Sequence, residues 1–153
     1  MPLLIDGHNL IGHLPTIDLS DPEDERRLIE ALLAYCRRTR RKATVFFDRG
    51  TLGPGELPPL ANLTVRFVRP PSSADAAIRA RLASLGGAAR NWTLVSSDRA
   101  VQAAARRAGA RVVSAADFSL ELRDPGNAEE SPEKPDSLAP EEVDRWLRLF
   151  QGE

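Results

Sequence analysis

The chain has 153 residues, 42% of them hydrophobic and 28% charged, and its 21 basic and 22 acidic side chains leave a formal net charge of -1. That length suits a single domain with a short appendage and a core stable without covalent staples. The near-neutral balance argues against a uniformly basic nucleic-acid binder, although local patches survive averaging.

The first apolar run, LLID at residues 3 to 6, reads as a buried strand that ends on Asp6, Gly7, His8 and Asn9. It has no basic lead-in and is broken by Asp6, and no window approaches the ~18 continuous apolar residues of a membrane span. The expectation is a cytoplasmic protein without a membrane segment. Next comes DPEDERRLIEALLAYCRRTRRK, a helix with Asp21 as N-cap, Pro22 at N1, acids leading bases, and a broad buried face of Leu28, Ile29, Leu32, Leu33, Tyr35 and Cys36. Cys36, the one cysteine, is expected to pack in the core of a protein from a reducing compartment.

ATVFFD (43 to 48) is the second strand, and GTLGPGELPPL (50 to 60) is too rich in Gly and Pro for regular structure. LTVRFV (63 to 68) is the third strand. A helix capped at Ser72 or Ser73 and ended by Gly86 and Gly87 follows it, burying Ala74, Ile78, Leu82 and Leu85. TLVSSD (93 to 98), a helix stopped at Gly109, the short strand RVV (111 to 113) and a last short helix complete the alternation. Residues 124 to 137 have almost nothing to bury and read as a flexible linker between a domain at 1 to 123 and an amphipathic helix at 138 to 153. That helix carries Val143, Trp146, Leu147 and Phe150 on one face, suited to docking on its own domain, a second copy or a partner protein.

Short apolar runs alternating with amphipathic helices predict an α/β, Rossmann-like three-layer fold with a mainly parallel sheet of order 3-2-1-4-5 flanked by helices. Right-handed crossovers then bring the carboxyl ends of the strands to one edge. Asp6, Asp48 and Asp98 end three of them, and Asp75 lies in the first turn of a helix that starts on the same edge. Clustered carboxylates repel, and a divalent cation resolves the cost; an oxygen-only donor set favours Mg²⁺ or Mn²⁺, with water as the attacking nucleophile at phosphorus. Asn9 is placed to orient a carboxylate or hold a phosphate. Each acid taken alone also reads as a turn former or helix cap, Asp75 as a partner of Arg79 and Asp98 as a cap; their joint placement favours a site. Arg49, Arg69 and Arg99 each follow a strand on this edge and are candidate contacts for a phosphate backbone. The denser run RRTRRK ends the first long helix on the opposite edge, where it complements the helix C-terminus.

The stretches DGHNLI, FFD, SSADAAI and SSD resemble the NYN branch of PIN-like nucleases, closest to the YacP-like bacterial group. The resemblance implies a metal-dependent endoribonuclease acting on RNA, single-stranded by preference, in RNA processing, decay or translation-linked cleavage, with the ribosome as one presenter of substrate. By matching position it implies Asp6, Asp75 and Asp98 as the metal ligands and Asp48 and Asn9 as supporting catalytic residues. The chain departs from the pattern at His8, where Tyr is common, and at Arg79, where a further acid is common. A weak catalyst that binds or scaffolds RNA on the same fold is the alternative. A receiver domain is excluded by the missing late Lys, and a D-x-D phosphatase by Gly7 and His8 after Asp6.

Overall fold

A computed structural model describes residues 2–14, 17, 24–48, 55–56, 60–68 and 72–123. Strands β1 (Leu3–Asp6), β2 (Ala43–Asp48), β4 (Leu63–Val68), β5 (Thr93–Val95) and β6 (Arg111–Val113) are all parallel. They lie in the order β4-β2-β1-β5-β6, which is the expected 3-2-1-4-5. Between them run α1 (Gly7–Ile11), α2 (Asp24–Thr39), α3 (Ala74–Leu85), a 3-10 turn (Gly86–Asn91), α4 (Arg99–Ala108) and α5 (Ala115–Arg123).

The central strands are buried on both faces, so their side chains divide between two cores. Leu3, Ile5, Val45 and Phe47 pack against Leu10, Leu28, Leu32 and Phe118, which puts α1, α2 and α5 on one face. Leu4, Phe46 and Leu94 meet Ile78, Leu82, Val101 and Ala105, which puts α3 and α4 on the other. Cys36 is fully buried in the first core, and burial pushes its thiol up to about 11, so it packs and does not react.

Local signals set the helix ends. Ser73 Oγ accepts from the Ala76 amide at 3.0 Å to start α3, and Gly109 at φ 97° closes α4 with a left-handed cap. Leu85, expected on the buried face of α3, is only half-buried, and three further features differ from expectation. TLVSSD leaves the ladder after Val95, because Ser96 Oγ accepts from the Asp98 amide and the Ser97 amide is donated to Asn9; side-chain partners displace ladder bonds here. Gly55–Glu56 forms β3, a two-residue strand antiparallel to β4, inside the stretch expected to lack regular structure. The chain after Asp6 is helical at once, as α1. The expected Asp21 cap, the linker and the C-terminal helix lie outside the described residues. No helix among the described residues is long and apolar enough to cross a membrane.

Candidate active site

The sheet delivers Asp6 to its carboxyl edge at the centre, between the ends of β2 and β5. The Asp6 carboxyl is half-buried, and desolvation pushes it up to about 6. The Asn9 amide, donating to it, works the other way; the charges of Asp48 and Asp98 raise it further, and His8 lowers it slightly. A carboxyl so placed is half ionised near pH 6, well above the usual carboxylate range, and sits in a negative field.

The flanking acids are also structural. Asp48 Oδ1 accepts from the Ala74 amide, tying the end of β2 to the start of α3. Asp98 Oδ1 accepts from the Ala100 and Val101 amides at 2.8 and 3.2 Å, so the capping alternative holds for this oxygen. Asp75 pairs with Arg79 at 3.1 Å along the exposed side of α3 and is not among the charges that move Asp6. Asp6, Asp48 and Asp98 are thus brought within electrostatic reach, while Asp75 stays with its helix neighbour. Among the described residues no three His, Cys, Asp or Glu side chains already form a ligand group for a metal.

Asn9 does two jobs. Its backbone N–H serves Asp6, and its side-chain Oδ1 accepts from the Ser97 amide at 2.8 Å, pinning the exit of β5 to the exit of β1. Ser97 Oγ in turn accepts from the Ala115 amide at 2.9 Å, so the tie continues into α5. Asn9→Ala should cost about 1–2 kcal/mol, because it leaves a part-buried amide unpaired. Denaturant titration checks this, and an Asn9→Asp variant, which keeps the acceptor, should lose less stability at low pH.

His8 was the residue the sequence placed least well. Its Nε2 lies 2.8 Å from Glu25 Oε2, a carboxylate that is almost wholly buried in the first turn of α2. That bond raises the His8 pKa, burial opposes it, and the charges of Glu25, Asp24 and Asp48 reinforce it. The imidazole also packs at 60° against Phe47, ring centroids 5.3 Å apart. Glu25 was missed in the sequence, yet its trace was there: an acid on the same stripe as Leu28, Ile29 and Leu32. Of the arginines, Arg99 is exposed at the first position of α4, where a cation gains nothing from the helix dipole; Arg49 and Arg69 lie outside the described residues.

The family model of the YacP-like NYN domain matches residues 3–147. The chain belongs to this family. It is similar to the crystal structure of Rae1 (YacP) from Bacillus subtilis, 25% identical over 86% of this chain and 79% of that one, with a TM-score of 0.70. It is likewise similar to a point mutant of that protein, 26% identical over 99% and 95% of the two chains, with a TM-score of 0.66. No curated protein sequence matches the chain significantly. NYN domains are nucleases of PIN-like fold, so membership gives a hydrolase of ribonuclease kind. In this YacP-like NYN chain, the His8–Glu25 bond ties α1 to α2 directly behind the acidic edge.

Proposed function

We propose that the chain is an endoribonuclease that hydrolyses phosphodiester bonds of single-stranded RNA at the Asp6 edge, using Mg²⁺ or Mn²⁺. The observation that carries this reading is the half-buried Asp6 carboxyl, held near pKa 6 beside two further acids. The donor chemistry fits a hard cation. All three groups are carboxylates, and their mutual repulsion across a partly desolvated site is what such a charge relieves. Mg²⁺ commonly keeps several waters and takes one or two protein carboxylates, which suits a site without a ready-made three-ligand group. Asp6 and Asp98 would hold the ion, with Asp75 recruited from Arg79 and Asp48 supporting from the N-terminus of α3. When bound, the ion neutralises charge on the phosphate and acidifies water. Asn9 positions the Asp6 carboxyl and the β5 exit.

Arg49, Arg69 and Arg99 are assigned to the RNA backbone. Replacing all three with Met should weaken single-stranded RNA binding and flatten the slope of log K against log salt by about 2, given ~0.7 per phosphate contact. An unchanged slope would remove them from the interface. RNA processing, decay or translation-linked cleavage in the cytoplasm, with the ribosome as one presenter of substrate, is the setting we assign.

The test is cleavage of labelled unstructured and structured RNA with Mg²⁺, Mn²⁺ or EDTA, comparing wild type with Asp6→Asn and Asp75→Asn. Cleavage only with metal, lost in Asp6→Asn, is expected; activity surviving in both variants would refute the site. The Asp75–Arg79 pair favours one rival, an RNA-binding module of low catalytic power. Retained binding with no cleavage of any RNA under any metal would select it.

A further inference from the structure

The amino-terminal edge of the sheet, opposite the acids, carries a concavity. A cavity of about 690 Å³ opens where β1, β2 and β4 begin and the chain approaches β5, against the last turns of α3. That volume is in the range of small-molecule sites, ~300–1,000 Å³. Lys42, Thr44, Asn62, Thr64, Arg81 and Trp92 supply its polar and aromatic lining, and no acid is among the lining residues described.

Three details point to a phosphate. First, the Arg81 guanidinium carbon lies 5.7 Å from the centroid of the Trp92 ring, a cation–π distance that holds the planar fork against a fixed platform. Trp92 itself is held by its place before β5 and its packing on the second core. Second, the Arg81 Nε–H is shielded from solvent and donates to nothing among the described residues, an unmet donor that an incoming oxygen would satisfy. Third, neither Arg81 nor Lys42 is matched by a carboxylate among the described residues, so the lining is net positive. Asn62 lies in a two-residue turn closed by reciprocal Leu60–Leu63 backbone bonds of 3.0 and 2.9 Å, and its carbonyl accepts from the amide of Ala43, the neighbour of Lys42, at 3.0 Å. Lys42 is the end of the RRTRRK run, so this pocket uses part of the basic cluster that the acidic edge leaves idle.

We propose that this pocket is a nucleotide-phosphate site, in which the Trp92-backed Arg81 fork and the Lys42 ammonium hold the phosphate while Thr44, Thr64 and Asn62 face the rest of the nucleotide. The phosphate comes either from a free mononucleotide or from a distal nucleotide of a bound RNA. The site is separated from the acids by the length of β2, about 17 Å at ~3.3 Å per residue, a span that a few nucleotides of RNA bridge. It does not depend on the cleavage reading.

Trp92 and Trp146 are the two tryptophans, so the full chain carrying Trp146→Phe reports on Trp92 alone. Its emission is followed in EDTA against adenosine monophosphate, adenosine and a short oligoadenylate. A saturable response to the monophosphate or to the oligomer, with adenosine at least about tenfold weaker, is expected. Arg81→Met and Lys42→Met should each weaken binding about tenfold, Arg81→Lys by less, and Asp6→Asn should leave it unchanged. A response to the monophosphate identifies a free-nucleotide site, and one to the oligomer alone identifies a contact for RNA. No saturable response to either, equal binding of adenosine, or full affinity in Lys42→Met, whose exposed side chain can be changed without unfolding the protein, would overturn the proposal.

Discussion

Asp6→Asn is expected to abolish cleavage, by at least about 100-fold for loss of a charged group at a phosphoryl-transfer centre, and at the same time to make the protein more stable at pH 8. The second half follows from linkage. The folded Asp6 carboxyl titrates near 6, whereas an unfolded Asp titrates near 3.9. The folded state therefore binds the Asp6 proton more tightly. The stability this confers is fully present below about pH 4 and is lost as pH rises through about 6. Above pH 7 the ionised carboxylate burdens the fold by on the order of 2–3 kcal/mol, and a neutral Asn of the same shape does not. In EDTA the variant should be more stable than wild type at pH 8, and the gap should close toward pH 4. A gap that is flat with pH would mean that Asp6 is not strained in the way its burial and neighbours imply. Mg²⁺ adds an independent reading: by binding the folded state it should raise the wild-type melting temperature and leave the variant's nearly unmoved. Stability given up at a buried acid is a common signature of a working site.

The architecture was legible because its signals are local and repeated. Five apolar runs, all but the second and third separated by helical periods, specify a parallel sheet, and Ser73, Asp98 and Gly109 mark helix ends by chemistry that acts within a few residues. Short elements escaped. Five residues of α1 make too little of a period to read, and the two residues Gly55–Glu56 of β3 are too few to show an alternation. At the site, the sequence brought Asp6, Asp48 and Asp98 together because strand order fixes where strands end. It could not reveal that the Asn9 side chain would be spent on the Ser97 amide or that Glu25 would turn inward to His8, since both depend on side chains meeting across 88 and 17 residues. Asp75 shows the opposite limit: its i,i+4 partner Arg79 was visible in the sequence as an alternative, and the fold uses it.

Among the described glycines, Gly7→Ala should be the most damaging change. In the fold, what approaches Gly7 is the core. A Cβ at this position would fall 2.6 Å from Phe47 Cδ1 and 3.0 Å from the Phe46 carbonyl oxygen, far inside van der Waals contact. Phe47 cannot step aside. It is fully buried, stacked on Phe67 at 5.4 Å between centroids, and covered by His8. Gly7 is not among the residues at positive φ, so the cost is one of contact and not of backbone conformation. Overpacking of this kind costs about 1–3 kcal/mol, or a fall of roughly 3–10 °C in melting temperature for a domain of this size. Relief by pushing α1 outward would carry Asn9 with it, weakening its bonds to Asp6 and Ser97, so cleavage should fall along with stability. Two controls separate this account from generic glycine loss. Gly87→Ala meets open space and should be near neutral, and Phe47→Leu in the Gly7→Ala background should recover part of the loss, giving a coupling of opposite sign to the single changes. If the double variant is simply the sum of its parts, Gly7 is not held against Phe47, and the position of α1 behind the acidic edge needs another cause.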